Sequence, residues 1–182
     1  MADSFNRHLE KDLSNGDIPR VFSGAWVYQV PRFWKIAGWQ VAGILRVQAG
    51  DTVAVAQATN LNSNLGYGTQ RPNRLGDPNA FAVRSAGQWF NTAAFTAAPQ
   101  FTIGTSSRNP VRGPGLQNAD LMLGKTFRMT ERVNLEFRAE VFNASNTPPL
   151  NDPKGTFGAA AFGSITSAGN PRVFEFAGKL HF

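Results

Sequence analysis

The chain has few residues that could carry out a reaction. Its two histidines, His8 and His181, lie near opposite ends, and neither has a partner at the spacing of a metal-binding pair. There is no cysteine, which removes disulfides, thiolate-bound zinc and a thiol nucleophile together. Ser4, Ser14 and Ser23 sit in no Gly-x-Ser-x-Gly elbow. Gly113-Pro114-Gly115 lacks the Lys-Ser/Thr pair that completes a phosphate loop, so it reads as a turn. Asn143-Ala144-Ser145 fits a glycosylation acceptor, but that pattern is too short to carry weight. The expectation is no catalytic residue, no metal, no cofactor and a non-enzymatic role.

Two groups of side chains remain. The first is a row of charges, Arg132, Glu136, Arg138 and Glu140, continued by Glu175 and Lys179 near the C-terminus. Placed inside a barrel, these would line a substrate path or form an ion-pair lattice that satisfies buried charge. The second is Arg71, Arg74, Arg108 and Arg112 with Trp89, all in irregular sequence. Such residues either contact a ligand or pack loop against loop.

The elements that position these groups are strands. Residues 131–142 alternate without fault: Val133, Leu135, Phe137, Ala139 and Val141 on one face, Arg132, Asn134, Glu136, Arg138 and Glu140 on the other. This period of two is the pattern of a strand with one apolar face. Residues 18–30, 39–48, 116–128 and 172–182 repeat it, with Lys125 interrupting the apolar face of the third strand. Phe174, Phe176, Leu180 and Phe182 share the apolar face of the last. Between them run a short connection at 31–38, a tight turn at 129–130, and long loops at 49–115 and 143–171. Residues 52–57 read as a short extra strand. Trp89, Phe90, Phe95 and Phe101 form a candidate local cluster that includes a helical turn.

Charged residues make up only 16% of the chain, against about 25% in ordinary soluble domains. The excess positive charge of +6 is spread singly, which argues against a nucleic-acid partner. No apolar run is long enough for a transmembrane helix, but a β-barrel would not need one. Strands of 10–13 residues exceed the globular mode of about 5–6 and suit a tilted membrane strand of about 9–11. Short and long connections alternate, as they do between periplasmic turns and extracellular loops. The expected fold is therefore all-β: an antiparallel up-and-down meander of about five strands, an incomplete outer-membrane β-barrel segment with long extracellular loops. Roughly eight strands are the minimum for closure, so the expectation includes a fragment of a larger barrel. Polar residues 1–17 read as an extracellular loop and carry no signal peptide, in keeping with an N-terminal truncation. A soluble all-β binding module, with carbohydrate as its candidate ligand, is the alternative. A second sheet covering Leu135, Phe137, Phe174 and Phe176 would distinguish it.

The chain also resembles a known family. GWQVAGI (38–44), QWFNTAAF (88–95), RNPVRGPGLQNADLMLGKTFRMTERVNLEFRAEVFN (108–143) and AFGSITSAGNPRVFEFAGKLHF (161–182) are similar to the C-terminal barrel of TonB-dependent receptors of the Oar-like, carboxypeptidase-regulatory-domain-containing type. NASNTPPL (143–150) departs from that pattern, and the plug and TonB box have no counterpart here. The resemblance implies a bacterial outer-membrane location, with contacts to outer-membrane lipid and to the plug and remaining barrel of a parent receptor. TonB would engage only that intact parent. It also implies that Phe174, Phe176, Leu180 and Phe182 form the C-terminal signal read by the barrel assembly machinery. This chain alone would not transport.

Overall fold

The computed structural model describes residues 10–31, 38–66 and 68–182. Its strands are β1 (Val21–Gln29), β2 (Trp39–Gln48), β3 (Thr52–Val53), β4 (Ala56–Gln57), β5 (Asn73–Arg74), β6 (Phe95–Thr96), β7 (Val111–Arg112), β8 (Leu116–Arg128), β9 (Asn134–Phe142), β10 (Thr156–Phe157) and β11 (Val173–His181). Contacts divide the chain into two compact units. One takes Arg20–Gln48, Leu116–Pro149 and Gly169–Phe182; the other takes Met1–Pro19, Ala49–Gly115 and Leu150–Ala168. They are called the sheet unit and the loop unit below.

The sheet unit is one five-stranded sheet in the order β1-β2-β8-β9-β11, antiparallel throughout. The expected all-β meander is therefore present, and it is open: β1 and β11 each pair on one side only. Because side chains alternate with a period of two, a register slip of one residue would turn a strand over. No strand slips. Trp26 pairs with Gly43, Gly43 with Leu121, and Leu121 with Val141, which also faces Phe174. Apolar residues thus meet apolar residues across all five strands. On the other face Met122 pairs with Glu140, which faces Glu175.

The apolar face stays uncovered. Phe22, Trp26, Tyr28, Phe174, Phe176 and Leu180 are exposed, Phe176 by 72%. Leu135 and Phe137 are half-buried by their neighbours within the sheet. Gly43 is the exception to this openness: the Trp26 indole lies across it, and a Cβ there would fall 2.7 Å from the ring. Glycine lets the aromatic ring lie flat on the neighbouring strand.

Three strands end or begin differently from the sequence expectation: the first, the fourth, and the last, which runs Val173–His181 rather than 172–182. The first strand begins at Val21 rather than Ile18, since Pro19 has no N–H to give the ladder. Its pairing runs on to Val30, whose N–H donates to Trp39 O (2.8 Å). The rest of the 31–38 connection, residues 32–37, lies outside the described residues, as do His8 and Ser4. The turn after β8 is longer than two residues. The Thr130 hydroxyl accepts from the N–H groups of Arg132 and Val133 (3.4 and 3.0 Å), while Met129 and Thr130 both donate to Val133 O (3.0 and 3.1 Å). This delays β9 until Asn134 and moves Arg132 off the strand into an exposed turn.

The loop unit differs more. Its segments are ordered by three two-stranded ladders, β3 with β7, β5 with β6, and β4 with β10. Residues 52–57 do not form one strand: β3 pairs antiparallel with β7, and β4 pairs parallel with β10. Val53, Val55, Phe90, Ala94, Phe95 and Val111 make its core, with Trp89, Phe157 and Phe162 packed against it. Phe162 stands edge-on to Phe90, Phe95 and Phe157 at centroid distances of 5.2, 5.8 and 5.3 Å, the arrangement favoured by ring quadrupoles. The helical turn expected in this region is a 3-10 turn, Thr92–Ala94, capped by the Asn91 side chain accepting from Ala93 N (3.1 Å). Phe101 does not join the cluster. It is 67% exposed, with a left-handed backbone (φ 64°) that turns its side chain away.

Candidate ligand cavity and charged face

Of the loop residues expected to meet a ligand, most act within the protein. Arg112 is a staple: Nη1 donates to Asp17 O (2.9 Å) and Gly50 O (3.0 Å), and Nη2 to Asp17 Oδ2 (2.8 Å). Trp89 Nε1 donates to Arg112 O (2.8 Å), with the Arg84 guanidinium 5.4 Å above its ring. Arg74 Nε donates to Gly76 O (2.7 Å), and its guanidinium lies 3.7 Å from Asp77. The Asp77 carboxyl is held below its ordinary pKa, chiefly by the backbone N–H of Asn79.

Arg71 and Arg108 come together. Both line a cavity of about 430 Å³ within the loop unit, along with Glu10, Thr69, Val55 and Ile103. Arg71 is buried and its Nη2 meets Glu10 Oε1 at 2.7 Å. Arg108 is exposed, and among the described residues its guanidinium has no ion pair or hydrogen bond. The amides beside it serve the loop backbone. Asn62 donates to Thr102 O (2.7 Å) and accepts from Phe101 N (2.7 Å); Gln70 donates to Pro99 O (3.1 Å) and accepts from Leu61 N (2.9 Å). These buried amides replace the hydrogen bonds that an irregular backbone cannot make with itself. Glu10 was not singled out in the sequence; an acidic residue in a polar tail looks like any other until the tail folds back.

A carboxylate pair lies elsewhere in the same unit. Asp152 and Asp51 converge over Gly113, where a Cβ would strike Asp152 Oδ1 and lie 3.4 Å from Asp51 Oδ1. Partial burial, together with a hydrogen bond to Asp51 and its negative charge, raises the Asp152 pKa to about 6. Two carboxylates this close share a proton more easily than both ionise.

On the polar face of the sheet, Arg138 Nη2 meets Glu140 Oε1 at 2.5 Å, and His181 Nε2 lies 3.1 Å from Glu136 Oε2. Glu140 stands opposite Glu175, and Glu136 opposite Lys179. The register thus gathers all the expected charges except Arg132 on one face. Phe174, Phe176 and Leu180 lie along the opposite face of β11, and Phe182 follows the strand, almost fully exposed.

Where β2 begins and β8 nears its end, the apolar face carries an aromatic cluster. Trp39 stands edge-on to Phe127 and Phe137 (6.4 and 6.5 Å). Lys125 Nζ lies 5.1 Å from the Trp39 ring and 5.2 Å from that of Phe127. The lysine that interrupts the alternation is thus held by cation–π contacts.

A long antiparallel sheet has one uncovered apolar face and one charged face. Such a sheet suits a wall between lipid and a polar interior. No helix among the described residues is long and apolar enough to cross a membrane, which leaves a strand-built crossing open. No curated protein and no solved structure matches the chain. A family profile does, over residues 1–175, and its description is an outer membrane beta barrel domain. The chain therefore belongs to the outer membrane beta barrel domain family, as an outer-membrane β-barrel protein.

Proposed function

We propose that this chain is the C-terminal wall of a TonB-dependent receptor of the Oar-like type, acting in transport and not in catalysis. The observation that carries this reading is the five-strand register, which keeps the phenylalanine face continuous while leaving both sheet edges unpaired. Unpaired edges on a long sheet invite further strands, and the rest of a larger barrel would supply them. In this reading the apolar face meets outer-membrane lipid. Glu136, Arg138, Glu140, Glu175 and Lys179 face the lumen and the plug, and the loop unit is extracellular. Phe174, Phe176, Leu180 and Phe182 serve the barrel assembly machinery. TonB engages the parent receptor rather than this segment. The soluble-module alternative gains nothing from the structure, since Phe174 and Phe176 remain exposed and, among the described residues, no second sheet lies over them.

The test is the coding frame upstream of Met1. The proposal expects a continuous frame encoding further strands and a plug with a TonB-binding segment. A frame that supplies strands but no plug would remove the receptor assignment and leave a simple barrel. A frame that supplies neither would remove both.

A further inference from the structure

We propose that the Arg71–Arg108 cavity of the loop unit binds a small organic carboxylate, with Arg108 as the residue that recognises its charge. The cavity has room for one. Its volume, about 430 Å³, lies within the roughly 300–1,000 Å³ of small-molecule sites. Among the described residues its charge is unbalanced: Arg71 and Arg108 line it against one carboxylate, that of Glu10. Arg71 is engaged with that carboxylate at 2.7 Å, so the remaining positive charge is at Arg108. The Arg108 side chain is exposed and unpaired among the described residues, while its backbone is fixed by Val55 N donating to Arg108 O (3.3 Å). A fixed backbone with an uncommitted guanidinium presents the planar fork that holds a carboxylate by two hydrogen bonds. Ile103 supplies apolar surface for the body of the ligand, and Thr69 supplies a polar group. The site rests on the loop unit alone and does not depend on the receptor assignment.

The experiment is calorimetric titration of the full chain in detergent with benzoate and benzamide, which match in size and differ in charge. The expected result is saturable binding of benzoate, at least tenfold weaker binding of benzamide, and at least a tenfold loss of benzoate affinity in Arg108→Ala. Arg74→Ala, outside the cavity, should bind as the parent does. Equal binding of the two probes, absence of saturable benzoate binding, or an Arg108→Ala variant with unchanged affinity would each overturn the proposal. Arg108→Gln keeps much of the side-chain volume and should show the same loss. If neither variant folds, the contrast between benzoate and benzamide on the parent chain decides the question.

Discussion

The loop unit and the five-stranded sheet draw on the same phenylalanines, valines and alanines and use them in opposite ways. Every buried hydrophobic side chain among the described residues, from Val53 to Ile165, belongs to the loop unit. Among the described residues the sheet buries none of its phenylalanines. A loop unit that makes its own core is suited to water. A sheet with an uncovered apolar face needs another solvent. In water that face would be a large exposed patch of the kind that marks an interaction surface; in a bilayer it is the appropriate surface.

The sharpest way to break this comparison is to cut the core of the loop unit. Phe90 is fully buried and touches Phe95 and Phe162 edge-on. Phe90→Ala should cost about 3–5 kcal/mol. The readout is faster proteolysis within residues 49–115, with the sheet unaffected. If the loops keep their protease resistance, the aromatic core is not what holds them.

A smaller effect should separate the two faces of the sheet. Phe176→Arg places a charge on the apolar face near mid-strand and should cost about 2–4 kcal/mol in a bilayer. Ala177→Arg, one residue on and opposite Arg138, should cost less than about half as much, because its face is polar. Urea titration of the chain refolded into lipid vesicles measures both. Equal costs would mean that neither face meets lipid, and a larger cost for Ala177→Arg would mean that lipid and lumen have been assigned to the wrong faces.

The smallest effect is in pH. Asp152 has its folded pKa raised to about 6 from an ordinary 3.8. A raised carboxyl pKa means that the folded state binds the proton more tightly than the unfolded state. The contribution is complete below the unfolded pKa and is lost as pH rises through about 6. Solvent exposure reduces the full value to about 1 kcal/mol. The loop unit should therefore resist proteolysis better at pH 5 than at pH 7.5. Asp152→Asn should flatten that difference, and an unchanged pH dependence in the variant would remove the pair as its source.

The sequence was most legible where one rule governed many residues. Period-two alternation located β2 and β8 to the residue, and the charges of β9 and β11 fell on one face as expected. It misled at Arg132, because a threonine hydroxyl that captures two backbone N–H groups leaves no trace in a hydropathy pattern. The loop core was only half visible. Phe90 and Phe95 are neighbours in sequence, but their partner Phe162 comes from the other long loop, and no local period announces such a meeting. The arginines were noticed for their charge, and Arg112 is spent on Asp17 and Gly50, partners that only the fold brings close.

If the apolar face meets lipid as proposed, Lys125 would give the sheet a fixed depth. Strand β8 has 13 residues; at about 3.3 Å per residue and a tilt near 45° it rises roughly 30 Å, the thickness of the hydrocarbon layer. A lysine three residues from the end of that strand, seated between Trp39 and Phe127, would then bring its ammonium toward the boundary where headgroups begin. Sliding the sheet inward would drag that charge into hydrocarbon, and sliding it outward would lift the rings of Trp39 and Phe127 into water. On that reading the cluster would act as a waterline for the sheet.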